Sequence, residues 1–373
     1  MNKLAIIGAG YLQLPLVQKA REMGLETHCF AWEEGAVCKG VADYFYPISI
    51  VDKELIYEQC KNIGIDGICT IASDVAAPTV AYVAERLHLI GNSYQSALLA
   101  NDKHLMRDAF SAAQVPCPKY QVVTAVEDIC ETPSFPLIVK PVDRSGSLGV
   151  CLVTNPSDLV LAVQNAIDLS FNKTAIIEQY IQGREISVEF ISYQGRHFPL
   201  QITDKITTGA PHFVELEHHQ PADLTPSQYE DIFAITTRAL MVLGISNGAS
   251  HTEFRITEEG KIFIMELGAR MGGDFIGSHL VRLSTGYDFL QGVIDVALGH
   301  FRQPIVKSNM FAGVYFLCQE TEYLYPYFNG QKKLSCAIEK TLTDTCLKKV
   351  CCSADRSGYL IYQDNHKICL LNG

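Results

Sequence analysis

Glu253 and Glu266 lie on the two arms of a predicted β-hairpin, and they are the pair of residues that points most directly to chemistry. If the turn is centred on Glu259-Gly260, counting outward from it pairs Glu253 with Glu266 across neighbouring strands. Facing carboxylates repel each other, and the second arm is otherwise apolar, where an unpaired charge is costly. A hard divalent cation removes both costs, and proteins often bind Mg²⁺ through one or two carboxylates together with substrate phosphates. The hairpin therefore predicts a metal site.

Another interpretation of this hairpin needs no metal. One glutamate would be exposed, and the other would form an ion pair with Arg255 or Arg270. The metal interpretation also depends on the length of the turn, because a three-residue turn would break the register that brings the two acids together.

A second predicted hairpin points to an anion site. The apolar run that starts at Phe135 ends in Lys140, and a loop rich in glycine and serine follows before the next predicted strand, 150–154. Glycines let a ligand approach the backbone closely, and successive backbone N–H groups with serine hydroxyls can form a concave anion site. We favour phosphate binding by Lys140 and this loop over a mobile tip beside a surface lysine, although the loop lacks the Gly-Lys-Ser/Thr ending of a P-loop. The loop residues concerned are Ser145, Gly146, Ser147 and Gly149.

Other charged residues give weaker signals when taken singly. Lys103 lies on a predicted helix, where a single lysine is usually a solvated charge. Glu178 interrupts one apolar strand and Glu185 begins the next, and an acid at a strand end can accept hydrogen bonds from ribose hydroxyls. Arg270 follows Glu266 by four residues, within reach of whatever the metal binds, and its planar guanidinium suits carboxylate or phosphate.

The segment 205–221 is rich in charged groups and is predicted to be irregular. Its adjacent histidines, His218 and His219, could suggest zinc. Neighbouring residues of a regular element point in different directions, however, and no third ligand stands at the usual spacing. The wall of a polar substrate site is the better of the two functional interpretations.

The first 95 residues or so alternate strands with helices, which predicts a parallel sheet with right-handed crossovers. The turn Gly8-Ala9-Gly10 invites a dinucleotide interpretation. That fingerprint requires a third glycine at position 13, where this chain has Gln13, and no convincing acid ends the second strand. A nicotinamide-dependent oxidoreductase is therefore a disfavoured alternative.

Composition is typical of a cytoplasmic enzyme. The chain has 373 residues, enough for two or three domains. Its net charge of −11 disfavours an extended nucleic-acid surface. No apolar stretch reaches the length of a membrane span, and the first residues do not resemble a signal peptide. The 13 cysteines, which include no Cys-x-x-Cys pair, are expected to stay reduced. We therefore predict a cytoplasmic protein with no nucleic-acid or membrane partner.

The order of these signals along the chain is stronger evidence than any one of them. A helical lysine, a strand-end lysine, a glycine-rich hairpin, an acidic strand pair, a two-glutamate hairpin and an arginine follow one another. This order resembles the ATP-grasp superfamily of carboxylate–amine ligases, and most closely the L-amino-acid ligases (dipeptide synthetases) and the purine-pathway enzymes. The stretch 211–221 is similar to the amino-acid ligases in particular.

The resemblance covers nearly the whole chain and implies an α/β fold of three parts. These are a Rossmann-like pre-ATP-grasp domain (1–95), a two-lobed ATP-grasp domain (96–305) with a lid lobe at about 115–180, and a small β-rich C-terminal domain (306–373).

The resemblance also implies roles at matching positions. Lys103 and Lys140 would contact the phosphates of ATP while the loop 145–149 closes over them, and Arg270 would neutralise an acyl phosphate. Glu253 and Glu266 would bind Mg²⁺, with Mn²⁺ as the alternative ion. The catalytic residues would then be Arg270 and Lys140. The adenine hinge would be formed largely by main-chain atoms of Glu178, Gln179, Tyr180 and Ile181, the ribose would be held by Glu185, and the substrates would contact His212, His218, Arg270 and Gly272.

One departure from the family pattern concerns the metal. Many members read Glu-x-Asn at the second metal position, whereas this chain has Glu266-Leu267-Gly268 and so lacks a ligand at position 268.

The implied reaction has two steps: ATP phosphorylates a small-molecule carboxylate, and an amine then attacks the acyl phosphate. An amino acid is expected as one substrate. The alternatives are a carboxylase- or formyltransferase-like enzyme that acts through carboxyphosphate or formyl phosphate, and a non-catalytic nucleotide-binding protein. Many relatives are dimers, so the resemblance leaves a homodimer open.

Overall fold

The computed structural model describes residues 1–130, 134–144 and 148–370. The N-terminal region has strands β1 (Lys3–Ile7), β2 (Glu26–Phe30), β3 (Tyr44–Tyr46) and β4 (Gly67–Cys69), with helices α1 (Leu14–Glu22), α2 (Lys53–Ile63) and α3 (Ala77–Arg86). The strands form a parallel sheet in the order β3-β2-β1-β4, as the sequence predicts.

The glycine turn after β1 is filled by a side chain. Gln13 Oε1 accepts a hydrogen bond from Gly10 N–H at 3.1 Å, and Gln13 Nε2 donates to the carbonyl of Ile71 at 2.8 Å. The residue that replaces the third glycine of the dinucleotide fingerprint therefore ties this turn to the chain that follows β4.

A prediction of one helix over 93–114 is wrong. The structure has two helices, α4 (Tyr94–Asn101) and α5 (Lys103–Ala112). Asp102 between them is extended, with φ −99° and ψ 118°, and its carboxylate caps α5 by accepting from His104 N–H and Leu105 N–H. The break places Lys103 in the first turn of α5, where its backbone N–H donates to Val142 O at 2.9 Å.

A small antiparallel sheet follows, covered by one helix. Its strands pair in the order β5-β8-β6-β7. The bounds are β5 (Tyr120–Val123), β6 (Leu137–Pro141), β7 (Cys151–Val153), α6 (Pro156–Leu169) and β8 (Ala175–Gln179).

The rest of the chain builds an eight-stranded antiparallel sheet. Its elements are β9 (Arg184–Tyr193), β10 (Arg196–Thr207), β11 (Glu215–Gln220), α7 (Pro226–Val242), β12 (Gly248–Ile256), β13 (Ile262–Gly268), α8 (Val281–Thr285), α9 (Phe289–Ala297), β14 (Phe311–Leu317), α10 (Tyr325–Phe328), β15 (Ala337–Leu342) and β16 (Gly358–Asp364). The order is β13-β12-β9-β10-β11-β14-β16-β15. The prediction of an irregular segment at 205–221 is correct only for 208–214 and 221, because β10 continues to Thr207 and pairs with β11 at Glu215–Gln220.

The last three strands of this sheet come from the C-terminal segment, and β14 pairs with β11. The predicted β-rich character of 306–373 is therefore correct, while the domain boundaries stay a prediction.

The large sheet has an apolar face and a polar face because successive side chains of a strand point in opposite directions. On β9, Val188 and Phe190 belong to a buried core that includes Ile232 and Leu240 of α7. Glu185 and Glu189 have the opposite parity and point to the other face, where the charged residues of the chain collect.

No helix among the residues described is both long and apolar enough to cross a lipid bilayer.

Candidate active site

The β12–β13 hairpin brings the two glutamates together by a route that differs from the predicted one. The turn holds three residues rather than two, because Thr257 N–H bonds Lys261 O at 2.9 Å, and Gly260 takes a left-handed conformation with φ +79°. A β-bulge beside Glu253 then adds one residue to β13, which offsets the extra residue of the turn and restores the predicted pairing register. Glu253 consequently stands opposite Glu266.

Each glutamate has its own lysine. Lys205 Nζ lies 2.5 Å from Glu253 and 3.6 Å from Glu215, and Lys103 Nζ lies 3.1 Å from Glu266. Burial opposes ionisation of Glu253, but Lys205 outweighs it and holds the pKa of this acid well below its usual value. Lys103 is buried rather than solvated, at 5% exposure. Each acid therefore lies next to a lysine, and the pairing with Arg255 or Arg270 considered above is wrong.

A buried charge cluster lies beneath the predicted phosphate site. Glu178 is 1% exposed; its two oxygens lie 2.8 Å from Arg107 Nε and 2.8 Å from Lys140 Nζ. Burial raises the pKa of Glu178, yet the two cations outweigh it and lower this pKa to about 2. Burial lowers the pKa of Lys140. The side chain of Glu178 thus orients Lys140, and only its main-chain atoms remain for the predicted hinge.

The predicted hinge forms part of a cavity wall. Tyr180 and Ile181 line the cavity, whereas Gln179 is exposed and lies outside this wall. The carbonyl of Ile181 accepts from Arg255 Nη1 at 2.8 Å, and the Arg255 guanidinium stacks 5.0 Å from the Tyr180 ring centre. Arg255 also pairs with Glu185, so the predicted ribose acid is fixed on the same wall.

The glycine-rich loop is described only in part. Ser145, Gly146 and Ser147 lie outside the described residues. Gly149 has φ +77°, and a Cβ there would meet Leu169 at 2.9 Å and Pro141 at 3.0 Å. Position 149 therefore requires glycine for both conformation and space.

Arg270, the predicted catalytic arginine, is held by an acid from the N-terminal region. Its Nε and Nη2 donate to the two oxygens of Asp74 at 2.9 and 2.8 Å. Burial raises the pKa of Asp74, but Arg270 outweighs it and lowers this pKa. Both residues line the cavity.

Gly272 does not face the cavity. Its N–H donates to Glu189 Oε2 at 2.9 Å, and the other oxygen of the fully buried Glu189 bonds His251 Nδ1. His251 Nε2 in turn lies 3.4 Å from Glu253. The N–H of Gly272 thus makes a buried hydrogen bond in the turn after Arg270. Its contact with substrate stays a prediction.

The two histidines predicted to bind substrate also lie outside the cavity wall. His218 is completely buried, with its ring edge-on to Phe316 and its Nε2 4.0 Å from Asp274. Burial lowers the pKa of His218, so the ring is neutral at neutral pH. His212 is partly exposed on the loop before β11. The structure does not bring these residues together with Arg270, and their roles stay predictions.

The cavity has a volume of about 200 Å³ and lies between the small sheet, the large sheet and the N-terminal region. Five of its cations are already paired with acids of the same wall, which makes the site internally neutral. The pairs are Lys103–Glu266, Lys140–Glu178, Lys205–Glu253, Arg255–Glu185 and Arg270–Asp74.

Sequence reasoning missed several residues of this site. Lys205 and Asp74 carry charges in the cavity, Arg107 and Glu189 are buried beneath it, and His251 joins the two sets. Lys205 on β10 stands opposite Glu185 on β9, so its side chain points to the same face of the sheet. The alternation of side chains along the two strands could therefore have indicated Lys205. Nothing local indicates Asp74, because its partner is 196 residues away.

The small sheet, the large sheet and the N-terminal region together enclose a cleft of lysines, an arginine and facing carboxylates. A model of the ATP-grasp domain family matches residues 133–278. This part of the chain is therefore an ATP-grasp domain, the family that the sequence resembles.

Individual relatives agree with this assignment. Alanine–anticapsin ligase of Bacillus subtilis (strain 168) is 30% identical over 295 residues, which cover 69% of this chain and 62% of that protein. The crystal structure of an L-amino acid ligase from Bacillus licheniformis has a TM-score of 0.83 at 23% identity, with 98% of this chain and 94% of that chain covered. Phosphoribosylglycinamide synthetase from Anaerococcus prevotii has a TM-score of 0.77 at 20% identity, with 98% and 94% covered. The match to the first relative thus spans less than two thirds of its length.

Proposed function

We propose that this protein is an ATP-dependent ligase that activates a carboxylate as an acyl phosphate and joins it to an amine, with an amino acid as one substrate. One observation carries the proposal: Lys103, Lys205 and Arg270 line the same cavity as the facing acids Glu253 and Glu266. Alanine–anticapsin ligase and the L-amino acid ligase support the amino-acid substrate.

Glu253 and Glu266 fit a hard divalent cation. Both offer carboxylate oxygens on adjacent strands, and each now pairs with a lysine that could bind an anionic ligand instead. Among the described residues no three His, Cys, Asp or Glu side chains form a ready metal cluster, so phosphate and water would complete the shell. A bound Mg²⁺ would supply positive charge to the phosphate oxygens.

The nucleotide would lie between the two sheets. Tyr180 and Ile181 offer an apolar wall and main-chain atoms to a flat base, and Glu185 offers a carboxylate to the ribose. Lys140, near the end of β6, and Lys103, in the first turn of α5, would contact the phosphates. We propose these roles for the residues at the matching positions of the family.

In the first step the γ-phosphorus of ATP forms a bond to a substrate carboxylate oxygen, and its bond to the β–γ bridging oxygen breaks, which releases ADP. The lysines and Arg270 stabilise the negative charge on the transferred group, since positioning and charge compensation dominate phosphoryl transfer. In the second step the amine attacks the acyl carbon, phosphate leaves and the amine loses a proton. The lid lobe would exclude water, which would otherwise hydrolyse the acyl phosphate.

Lys140→Met is expected to weaken ADP binding in the presence of Mg²⁺ by about 10- to 100-fold, because hydrogen bonds to a charged group contribute about 1.5–3 kcal/mol. Isothermal titration calorimetry measures this change. Lys39→Met is the matched control, because Lys39 pairs with Glu33 on the surface away from the cavity. Equal affinity in Lys140→Met and the control would remove Lys140 from the site.

ADP binding is expected to be at least about 10-fold tighter with Mg²⁺ than in EDTA, because opposite charges favour each other's binding. Mg²⁺ bound to Glu253 and Glu266 would replace Lys205 and Lys103 as their partners, and these lysines could then bind phosphate. Phosphate bound to the lysines would in turn leave the two glutamates available to Mg²⁺. Calorimetry with and without Mg²⁺ tests this directly. The dependence should disappear in a Glu253→Gln/Glu266→Gln double variant, and full dependence there would place the ion elsewhere.

The proposed reaction is tested by an ADP-release screen of amino-acid pairs, followed by mass spectrometry of the products. Release that needs both an acid and an amine, with a product heavier by their condensation, is the expected result. Release that depends on bicarbonate would indicate a carboxyphosphate-forming enzyme instead. Tight Mg-ADP binding without release for any pair would favour the non-catalytic nucleotide-binding alternative, to which the glycine at position 268 gives some support.

A further inference from the structure

Many family members carry a metal-binding asparagine at position 268, where this chain has a glycine. The space that a side chain would take there is occupied by Asp74, from another part of the chain. A Cβ built on Gly268 would lie 2.5 Å from Asp74 Oδ1 and 3.3 Å from Arg270 Cζ. Cβ atoms do not approach an oxygen so closely, so a side chain at 268 would displace the carboxylate of Asp74 from the position in which it binds Arg270. The absence of a side chain at 268 therefore leaves room for the contact between Asp74 and Arg270.

Asp74 is fixed in place by the backbone around it. Ile71 forms a parallel β-bridge with Met271, and Ala72 N–H donates to Met271 O at 3.1 Å. Ala72 has a φ of +55°, a conformation that costs an alanine energy and that the surrounding contacts must maintain. These contacts bind the segment before Asp74 to the residue that directly follows Arg270. Asp74 and Arg270 are therefore held by backbone contacts of neighbouring residues and by their own side-chain pair.

The contact controls the direction of the guanidinium. Asp74 engages Nε and Nη2, the two donors along one edge of Arg270. A planar guanidinium bound along one edge cannot rotate freely about its own axis. Its third nitrogen, Nη1, donates to Met271 O at 3.4 Å, which further fixes the plane of the group. Arg270 is 14% exposed and lines the same cavity as Glu253 and Glu266.

We propose that Asp74 is a positioning residue for Arg270 and that Gly268 is required to make room for it. The chain thus lacks a metal ligand at position 268 of β13 and has instead an ion pair between Asp74 of the N-terminal region and Arg270. This proposal rests on the proposed ligase function, because positioning matters only if Arg270 acts on a transferred group. Metal affinity then depends on Glu253, Glu266 and the nucleotide, and the N-terminal region becomes part of the catalytic apparatus.

Asp74→Asn tests the clamp, since it keeps the size of the side chain and removes its charge. We expect kcat for ADP release to fall about 10- to 100-fold, the cost of a small misplacement of a catalytic group. The KM for ATP and the calorimetric affinity for Mg-ADP should stay within about twofold, since a misplaced catalytic group lowers kcat rather than ground-state binding. Lys19→Met is the control, because it removes another ion pair between distant segments, Lys19–Asp288, outside the cavity. Unchanged kcat in Asp74→Asn would overturn the proposal.

The exchange between positions 74 and 268 is tested without any substrate. Gly268→Asn should lower the melting temperature of the unliganded protein, and Asp74→Gly in the same chain should recover part of that loss although Asp74→Gly alone destabilises. Additive effects of the two substitutions would contradict the proposed exclusion. If the wild-type protein bound no Mg-ADP, the ligase function would fail, and this stability cycle would still decide whether Gly268 makes room for Asp74.

Discussion

Glu266→Gln is expected to lower amine-dependent ADP release by about 10²- to 10³-fold, the usual effect of removing one group that stabilises developing charge. The substitution keeps the shape of the side chain but removes the negative charge of one of the two facing carboxylates. Lys103 is then left next to a neutral amide. A metal ion bound only by Glu253 would be displaced, and Lys103 would be freed. The comparison of initial rates of ADP release in a coupled assay measures the loss.

Glu258→Gln is the matched control for this experiment. Glu258 belongs to the turn of the same hairpin, is exposed and contacts no cavity residue among those described. Its rate and the melting temperatures of both variants should match the wild type. Wild-type turnover in Glu266→Gln would refute the proposed metal role, whereas a loss shared with Glu258→Gln would indicate damage to the hairpin rather than to the chemistry.

Glu178→Gln is expected to lower the free energy of unfolding by about 3–5 kcal/mol, the cost of leaving buried cations without their anion. Arg107 is completely buried, and Lys140 is 8% exposed, so neither reaches water easily. Glu22→Gln, which breaks the exposed ion pair with Lys19, should cost at most about 1 kcal/mol. Urea unfolding followed by circular dichroism compares the three proteins.

The pH dependence provides a second test of the same cluster. The pKa of Glu178 is lowered from 4.5 to about 2 in the folded protein. A depressed carboxyl pKa stabilises the fold above the unfolded-state value and loses this effect as the pH falls toward the folded-state value. The difference between wild type and Glu178→Gln should therefore be full above pH 4.5 and should shrink as the pH falls toward 2. A constant difference would show that the charge of Glu178 is not its source.

Much of the fold was predictable because its signals are local. Alternating strands and helices in the N-terminal region gave the parallel sheet, and Lys140 falls at the predicted strand end. The errors have physical causes. Asp102 ends one helix and caps the next within a continuous helical pattern, and the charges of β10 and β11 conceal strands whose outward residues face a polar cavity.

The site was predictable where residues of one hairpin or one strand were concerned, and not where distant segments meet. Glu253 and Glu266 are paired by a short count along the chain. Asp74 and Arg107 owe their places to packing between elements, which no spacing reveals. The sequence also does not show that His218 is completely buried against Phe316, so its predicted contact with substrate stays a prediction.

The hairpin that carries the two acids also limits which insertions and deletions can occur between its two strands in related proteins. Its three-residue turn and its bulge compensate each other, so a deletion in the turn alone would rotate the outer part of β13 by one residue and carry Glu266 to the side packed on α7. Only a second deletion at the bulge would return it. Among natural homologues, insertions and deletions between positions 253 and 266 should therefore occur as matched pairs, and an unmatched change should accompany loss of the acid itself.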